Sequence, residues 1–240
     1  SHEYYEMEFS PTNVVWDLFL RWPYKDGGGG MASADHTWNV NGIKNAVWVD
    51  GTLNDPRDID KSWSMEIAVP WSELAPFAHK PSPPKHGDTW RVNFSRVEWT
   101  FAVVTADRTT DDVKNNAYKL VTDPPCDNWV WSPQGVINMH CPEMFGYVQF
   151  STAPPGKDRY RPDPLIEGRR ILHDIYYENN KKWPSGLGDI GLDFTGNVHL
   201  AGPPSMESTP EGYLARVTLK LQGGGTRAMS IRQNALIREE

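Results

Sequence analysis

The sequence predicts a mainly β protein: an antiparallel β-sandwich of the immunoglobulin-like or jelly-roll type, with a small C-terminal α+β appendage. Three observations point there. Aromatic residues make up 12% of the 240, with 11 Trp among them, so the chain has the means to bury a real core. The 20 Gly and 20 Pro cut it into many short segments. Apolar residues in those segments tend to alternate, and the crossover helices that a parallel sheet needs are missing from the first 150 residues.

The elements follow in order. Residues 3–10 place Tyr5, Met7 and Phe9 on one face and Glu6 and Glu8 on the other, the period of a half-buried strand. Residues 13–20 read as a more buried strand, ended by Pro23 and the flexible glycines 27–30. Strands are expected at 44–49 and at 63–69, the latter closed by Pro70. The segment WSELAPF reads as a short turn or helix with Ser72 as N-cap. Residues 90–99 alternate as one strand, 101–127 are irregular apart from a short strand at 118–121, and a final strand covers 146–150. Composition changes after Ser151: a Pro-rich linker, 152–164, separates the sandwich, 1–151, from a tail, 165–240. In the tail, Ile171, Leu172, Ile175 and Tyr176 have helical spacing, and Pro184 and Gly186 supply a stop. Strand-like runs at 197–200, 213–221 and 228–237 make a small antiparallel sheet.

The net charge of −7 argues against a nucleic-acid partner, which would need a Lys/Arg surplus to neutralise phosphate. No apolar run reaches the roughly 20 residues of a membrane span. The chain opens on Ser-His and enters strand-like sequence at once, so it reads as a processed or truncated piece of a secreted or periplasmic protein. Cys126 and Cys141 lie 15 positions apart. A bridge there would be worth about 3 kcal/mol, but two unpaired thiols is the preferred reading. No CxxC and no His/Cys array signals zinc.

The segments HEYYEMEF, VVWDLFL, DGTLND, WSMEIAVPWSEL, GDTWRVNFSRVEW, NWVWSPQG and PEMFGYVQF, in this order over residues 1–151, resemble family 9 carbohydrate-binding modules within the DOMON-type sandwich group. The resemblance implies a non-catalytic module that binds polysaccharide, such as one derived from xylan or glucan, beside a glycosidase. It also implies strands before residue 1, whose absence would leave an edge for a homo-oligomer to complete. One aromatic of the family's sugar clamp would lie on such a strand. Its opposite number would fall near Met139 and His140, with Trp131 further upstream. A rival expectation is a partner-binding scaffold that has lost the sugar site.

Sugar recognition needs flat apolar rings for C–H faces and fixed polar groups for hydroxyls. Residues 128–140 are richest in both. Trp129 and Trp131 alternate, and Asn128, Gln134, Asn138 and His140 supply amides and an imidazole. Each tryptophan taken singly reads as core; the segment reads equally well as a binding rim. Arg91, Asn93 and Ser95 share a strand face, and the resemblance sets Ser95 or Arg96 near a sugar contact, with Glu6 a further candidate. Arginine suits the task, because its planar fork can bond adjacent hydroxyls. A glycosidase would need two carboxylates about 5–9 Å apart, and Glu6, Glu8, Glu66 and Glu98 are ordinary strand acids by default. Haem ligation through Met139, His140 or Met144 is a minority expectation, since neighbouring strand residues point to opposite faces. The 50–60 loop, DGTLNDPRDID, has the oxygen donors of a structural calcium site but not the EF-hand spacing, and turn chemistry explains it as well.

Overall fold

A computed structural model describes residues 3–27, 33–103, 118–123, 126–180 and 193–240. The expected glycine loop at 28–30, the irregular stretch at 104–117 and the stop at Pro184 and Gly186 lie outside the described residues. The fold is mainly β, and every strand pair described is antiparallel.

Strands β1 (Tyr4–Phe9), β2 (Val15–Leu20) and β3 (Ala34–Asp35) form a three-stranded sheet. The alternation in β1 works as expected. Tyr5 faces Phe19, Trp38 and Phe77, and Phe19 stacks on Phe77 at 4.1 Å. Tyr4 and Glu6 share the other face and pair across from Leu20 and Leu18. The apolar run Leu18–Phe19–Leu20 is buried on both faces of β2, which explains why it does not alternate.

Strands β4 (Lys44–Asp50) and β5 (Ser62–Ala68) pair as a ribbon. A one-turn helix, α1 (Trp71–Leu74), then runs into a 3-10 turn at Ala75–Phe77. Its N-cap is Pro70, whose carbonyl accepts the Glu73 N–H at 3.1 Å; Ser72, expected as the cap, sits inside the helix because the proline already fixes the entry.

The expected strand at 90–99 is two strands. β6 (Thr89–Val92) and β7 (Ser95–Glu98) are separated at Asn93 and Phe94 and take different partners. β8 (Phe101–Val103) pairs with β9 (Tyr118–Leu120). β10 (Asp127–Val130) pairs with β7, and β11 (Gly146–Gln149) with β6. The break follows from Asn93, whose side-chain amide donates to the Met139 carbonyl at 3.4 Å, and from Phe94, whose carbonyl accepts the Trp131 N–H at 2.9 Å.

Residues 151–165 contain no helix or strand. Asp163 then accepts the Leu165 N–H at 2.9 Å and opens α2 (Ile166–Asn180). Strands β12 (Ser205–Thr209), β13 (Gly212–Lys220), β14 (Thr226–Arg232) and β15 (Ile237–Glu239) form a four-stranded meander. The expected strand at 197–200 is a turn with a single bridge, Leu200 to Leu219, while β12 was not anticipated. The run at 228–237 is interrupted where Ala235 takes φ 58° and donates to the Arg232 carbonyl.

The largest buried cluster lies in this C-terminal unit, where Ile171, Leu172, Ile175 and Tyr177 of α2 pack on Val217, Leu219, Met229 and Ile231. In the N-terminal region the buried cluster is only Leu18, Leu20 and Ala34, with Tyr4 against it. Cys126 and Cys141 are unpaired thiols; Cys141 is buried at 3.8 Å from the Tyr177 hydroxyl, and burial pushes its pKa up.

Candidate functional site

The β7–β10 ribbon sets Trp129 directly opposite Arg96, Val130 opposite Ser95, and Asp127 opposite Glu98. Directly opposed side chains project from the same face of a ribbon. The Arg96 guanidinium accordingly lies 6.0 Å from the Trp129 ring centroid. It is also 5.8 Å from the ring of Trp63 on β5. Both distances are within the range of a cation–π contact. Glu98 forms an ion pair with Arg96 and fixes it between the rings.

Trp131 is held from three sides. Its N–H donates to Phe94, its indole Nε1 donates to the Val92 carbonyl at 3.0 Å, and its ring meets Phe94 edge-to-face at 5.6 Å. The indole lies over Gly146, where a Cβ would come within 2.6 Å of it. Trp129 is nonetheless 57% exposed and Trp131 47%. The expectation that each belongs to the core is therefore corrected: a two-stranded ribbon has too little sheet to cover large rings on both faces. Ser95 is exposed on the same ribbon.

A second group forms on β1. His140 Nδ1 is 3.3 Å from the Tyr4 hydroxyl and 3.3 Å from Glu6 Oε2, the latter contact not aligned as a hydrogen bond. The Tyr24 ring meets the imidazole edge-on at 4.6 Å. Asn138 turns the chain here, its side-chain oxygen accepting the His140 N–H at 2.8 Å. Burial pushes the neighbouring Glu8 carboxyl up, and Glu6 adds to the effect by charge and hydrogen bond while His140 opposes it. Met139 contributes its carbonyl to Asn93, and the buried side-chain nitrogen of Gln134 has no hydrogen-bond partner among the described residues.

The residues picked out from sequence thus fall into two groups. Trp129, Trp131 and Arg96 form an aromatic–guanidinium surface, with Ser95 on the opposite face of the ribbon beside Val130; His140, Glu6 and Asn138 form a carboxylate–imidazole cluster with Met139 beside it. Trp63, Tyr4 and Tyr24 were missed, because no sequence pattern tells which ribbon neighbours which.

The remaining candidates have other partners. Glu66 is exposed on β5 opposite Ala46. Met144 packs against the α2 cluster. In the 50–60 loop, Asp60 accepts the Thr52 N–H and Asp58 the Thr52 hydroxyl, both at 2.6 Å, and Asp55 holds Arg57. Among the described residues, no group of three or more His, Cys, Asp or Glu is arranged to hold a metal ion. No helix among them is long and apolar enough to cross a membrane. Comparison with family models, curated proteins and solved structures returns no match to this chain.

Proposed function

We propose that the chain is a non-catalytic, secreted or periplasmic carbohydrate-binding module that works beside glycoside hydrolysis. Residues 1–151 form its binding unit, a sandwich-type assembly of short antiparallel sheets. The observation that supports this is the exposed indole of Trp129, ringed by Arg96 and Trp63. An indole face supplies flat apolar area for a pyranose ring, and the guanidinium supplies donors for its hydroxyls. Trp131, locked in place by Val92 and Phe94, extends the same surface without needing to be ordered on binding.

Calorimetric titration with xylan- and glucan-derived oligosaccharides tests this. Trp129→Ala should weaken binding about tenfold, from loss of the stacking face. No binding to any soluble glycan would overturn the reading.

A second reading, a partner-binding scaffold, is favoured by the apolar residues on the remaining ribbons. Trp48 is 61% exposed on β4, and Ile67 on β5 and Phe101 on β8 are also exposed. Ribbon edges of this kind template strand pairing with a second copy of the chain. Light scattering at increasing concentration separates the two: a monomer throughout removes the self-pairing form of this reading.

A further inference from the structure

A cavity of about 500 Å³ lies where β1, the Ala75–Phe77 turn, β6 and β11 meet α2 and β15. That volume is in the range of small-molecule sites. Arg91 and Tyr147 are directly opposed on the β6–β11 ribbon and project from one face of it. Arg169 and His173, four residues apart, project from one face of α2. All four residues line the cavity.

The acids of the lining already have cations. Asp163 and Glu239 hold Arg169 at 2.6 and 3.0 Å, and Glu3 meets His79 at 2.7 Å. Arg91 and the exposed Lys80 add further positive charge. Burial lowers the Arg91 pKa by more than the charges of Tyr147 and Glu143 raise it, so an anion beside the guanidinium would be stabilised.

His173 supplies the second polar requirement. Its side chain is 4% exposed, and its Nε2 has no hydrogen-bond partner among the described residues. Nδ1 donates to the Arg169 carbonyl at 2.9 Å. The ring is neutral, because burial pushes its pKa down to about 3 against the charge of Glu143 and with that of Arg91. Nε2 is therefore an acceptor that lacks a donor. Glu143 cannot supply one, since an ionised carboxylate only accepts.

The apolar lining is set in place. The Tyr5 hydroxyl donates to the Leu74 carbonyl at 2.9 Å and accepts the Phe77 N–H at 3.1 Å, which fixes the Tyr5 ring beside that of Phe77. Met7 and Ile237 add to it. We propose that this cavity binds an aromatic hydroxy acid. Its carboxylate pairs with Arg91, its hydroxyl donates to His173 Nε2, and its ring packs against Tyr5 and Phe77.

The test titrates the full chain with para-hydroxycinnamate, with cinnamate, which lacks the hydroxyl, and with para-hydroxycinnamyl alcohol, which lacks the charge. The hydroxy acid should bind about tenfold more tightly than either, because each analogue leaves one buried polar group unpaired. Glucuronate, with the same two polar groups on a polar body, should bind more weakly than the hydroxy acid. Arg91→Gln should reduce the hydroxy acid to the level of the alcohol. His173→Phe should abolish the preference over cinnamate and keep the preference over the alcohol. Amide chemical shifts in the unaltered chain should move at Tyr147, His173 and Phe77 and stay fixed at Trp129, a readout that does not depend on either variant folding. No binding of any of these compounds at millimolar concentration means that Nε2 takes a water only, and overturns the proposal. So does equal affinity for the acid with and without its hydroxyl, or a shift pattern centred on Trp129. The sugar reading stands or falls separately, on the glycan titration.

Discussion

A methyl group added at Gly168 would land 2.5 Å from Leu219 Cδ1 and 2.9 Å from Met229 Sδ. In sequence this glycine reads as a weakness in the helix. In the fold it is what lets α2 approach β13 and β14. Gly168→Ala would gain helix propensity worth about 1 kcal/mol. It should still lose about 1–3 kcal/mol net, because the core there is overpacked; chemical denaturation measures the difference, and a stabilised variant would refute the close-approach argument. Gly146 plays the matching part at the surface, where a side chain would displace the Trp131 indole. The sequence made the strand faces of β1 legible, since Tyr5 and Glu6 sit on opposite sides as alternation requires. It could not show that Trp129 is exposed. A tryptophan in an alternating strand has the same pattern whether a second layer covers it or not.

At the scale of elements, α2 carries two adjacent buried groups that titrate in opposite senses. Burial pushes the Asp174 carboxyl up to about 6; the charge of Arg170 opposes this, and Glu167 adds to it. Burial pushes the His173 imidazole down to about 3, with Glu143 opposing, so the ring is neutral and its Nδ1 donates to the Arg169 carbonyl at 2.9 Å. Between pH 4 and 6 the folded state binds the Asp174 proton that the unfolded chain has released, so this residue's contribution falls as pH rises. Over the same window the unfolded chain protonates His173 and the folded state does not, so that contribution rises with pH. The two slopes oppose one another. Asp174→Asn should therefore give a protein whose stability climbs from pH 4 to 6, and His173→Gln one whose stability falls. Denaturation midpoints across that range read the sign; slopes of the same sign in both variants would refute the assignment.

The turn at Tyr24–Asp26 and the turn at Pro142–Met144 meet α2 through one buried ion pair. Lys25 Nζ is 3.0 Å from Glu143, 2.8 Å from Asp26 and 4.5 Å above the Tyr177 ring. Burial alone would lower the lysine pKa, but Glu143 and Asp26 together raise it. Lys25→Met should cost about 3 kcal/mol, because it leaves the Glu143 carboxylate buried without its cation, whereas the double variant Lys25→Met, Glu143→Leu should recover most of the loss. A double variant no better than the single one would mean that the pair holds the turns by more than charge. This seam was invisible in sequence: Lys25 and Glu143 stand far apart in the chain, in turns whose neighbours are unremarkable. Long periodic elements such as α2 and β13 were legible; the switch of partner between β6 and β7 was not, since the alternation of residues 90–99 runs straight through it.

Over the whole molecule, apolar burial is concentrated away from the proposed binding surface. The α2–β13–β14 layer holds fully buried Ile171, Leu172, Tyr177, Val217, Leu219, Met229 and Ile231. The β7–β10 and β8–β9 ribbons are two-stranded, and Phe94, Val97, Trp99, Phe101 and Tyr118 are exposed on them or beside them. Two-stranded ribbons are marginal alone, and local opening is cheapest where few apolar contacts must be broken. Amide exchange should follow that gradient. The N–H groups of Val217, Leu219, Met229 and Ile231 should exchange only through global unfolding, while those of Arg96, Val97 and Trp129 exchange through local opening that is little affected by mild denaturant. A stacked sugar would bridge Trp129 and Arg96 and tie β10 to β7. Bound glycan should then slow local-opening exchange in that ribbon by about the factor that the ligand concentration exceeds its dissociation constant. Equal protection of both regions in the free protein would refute the gradient. Protection gained in β13 but not at Trp129 would place the ligand on the other unit.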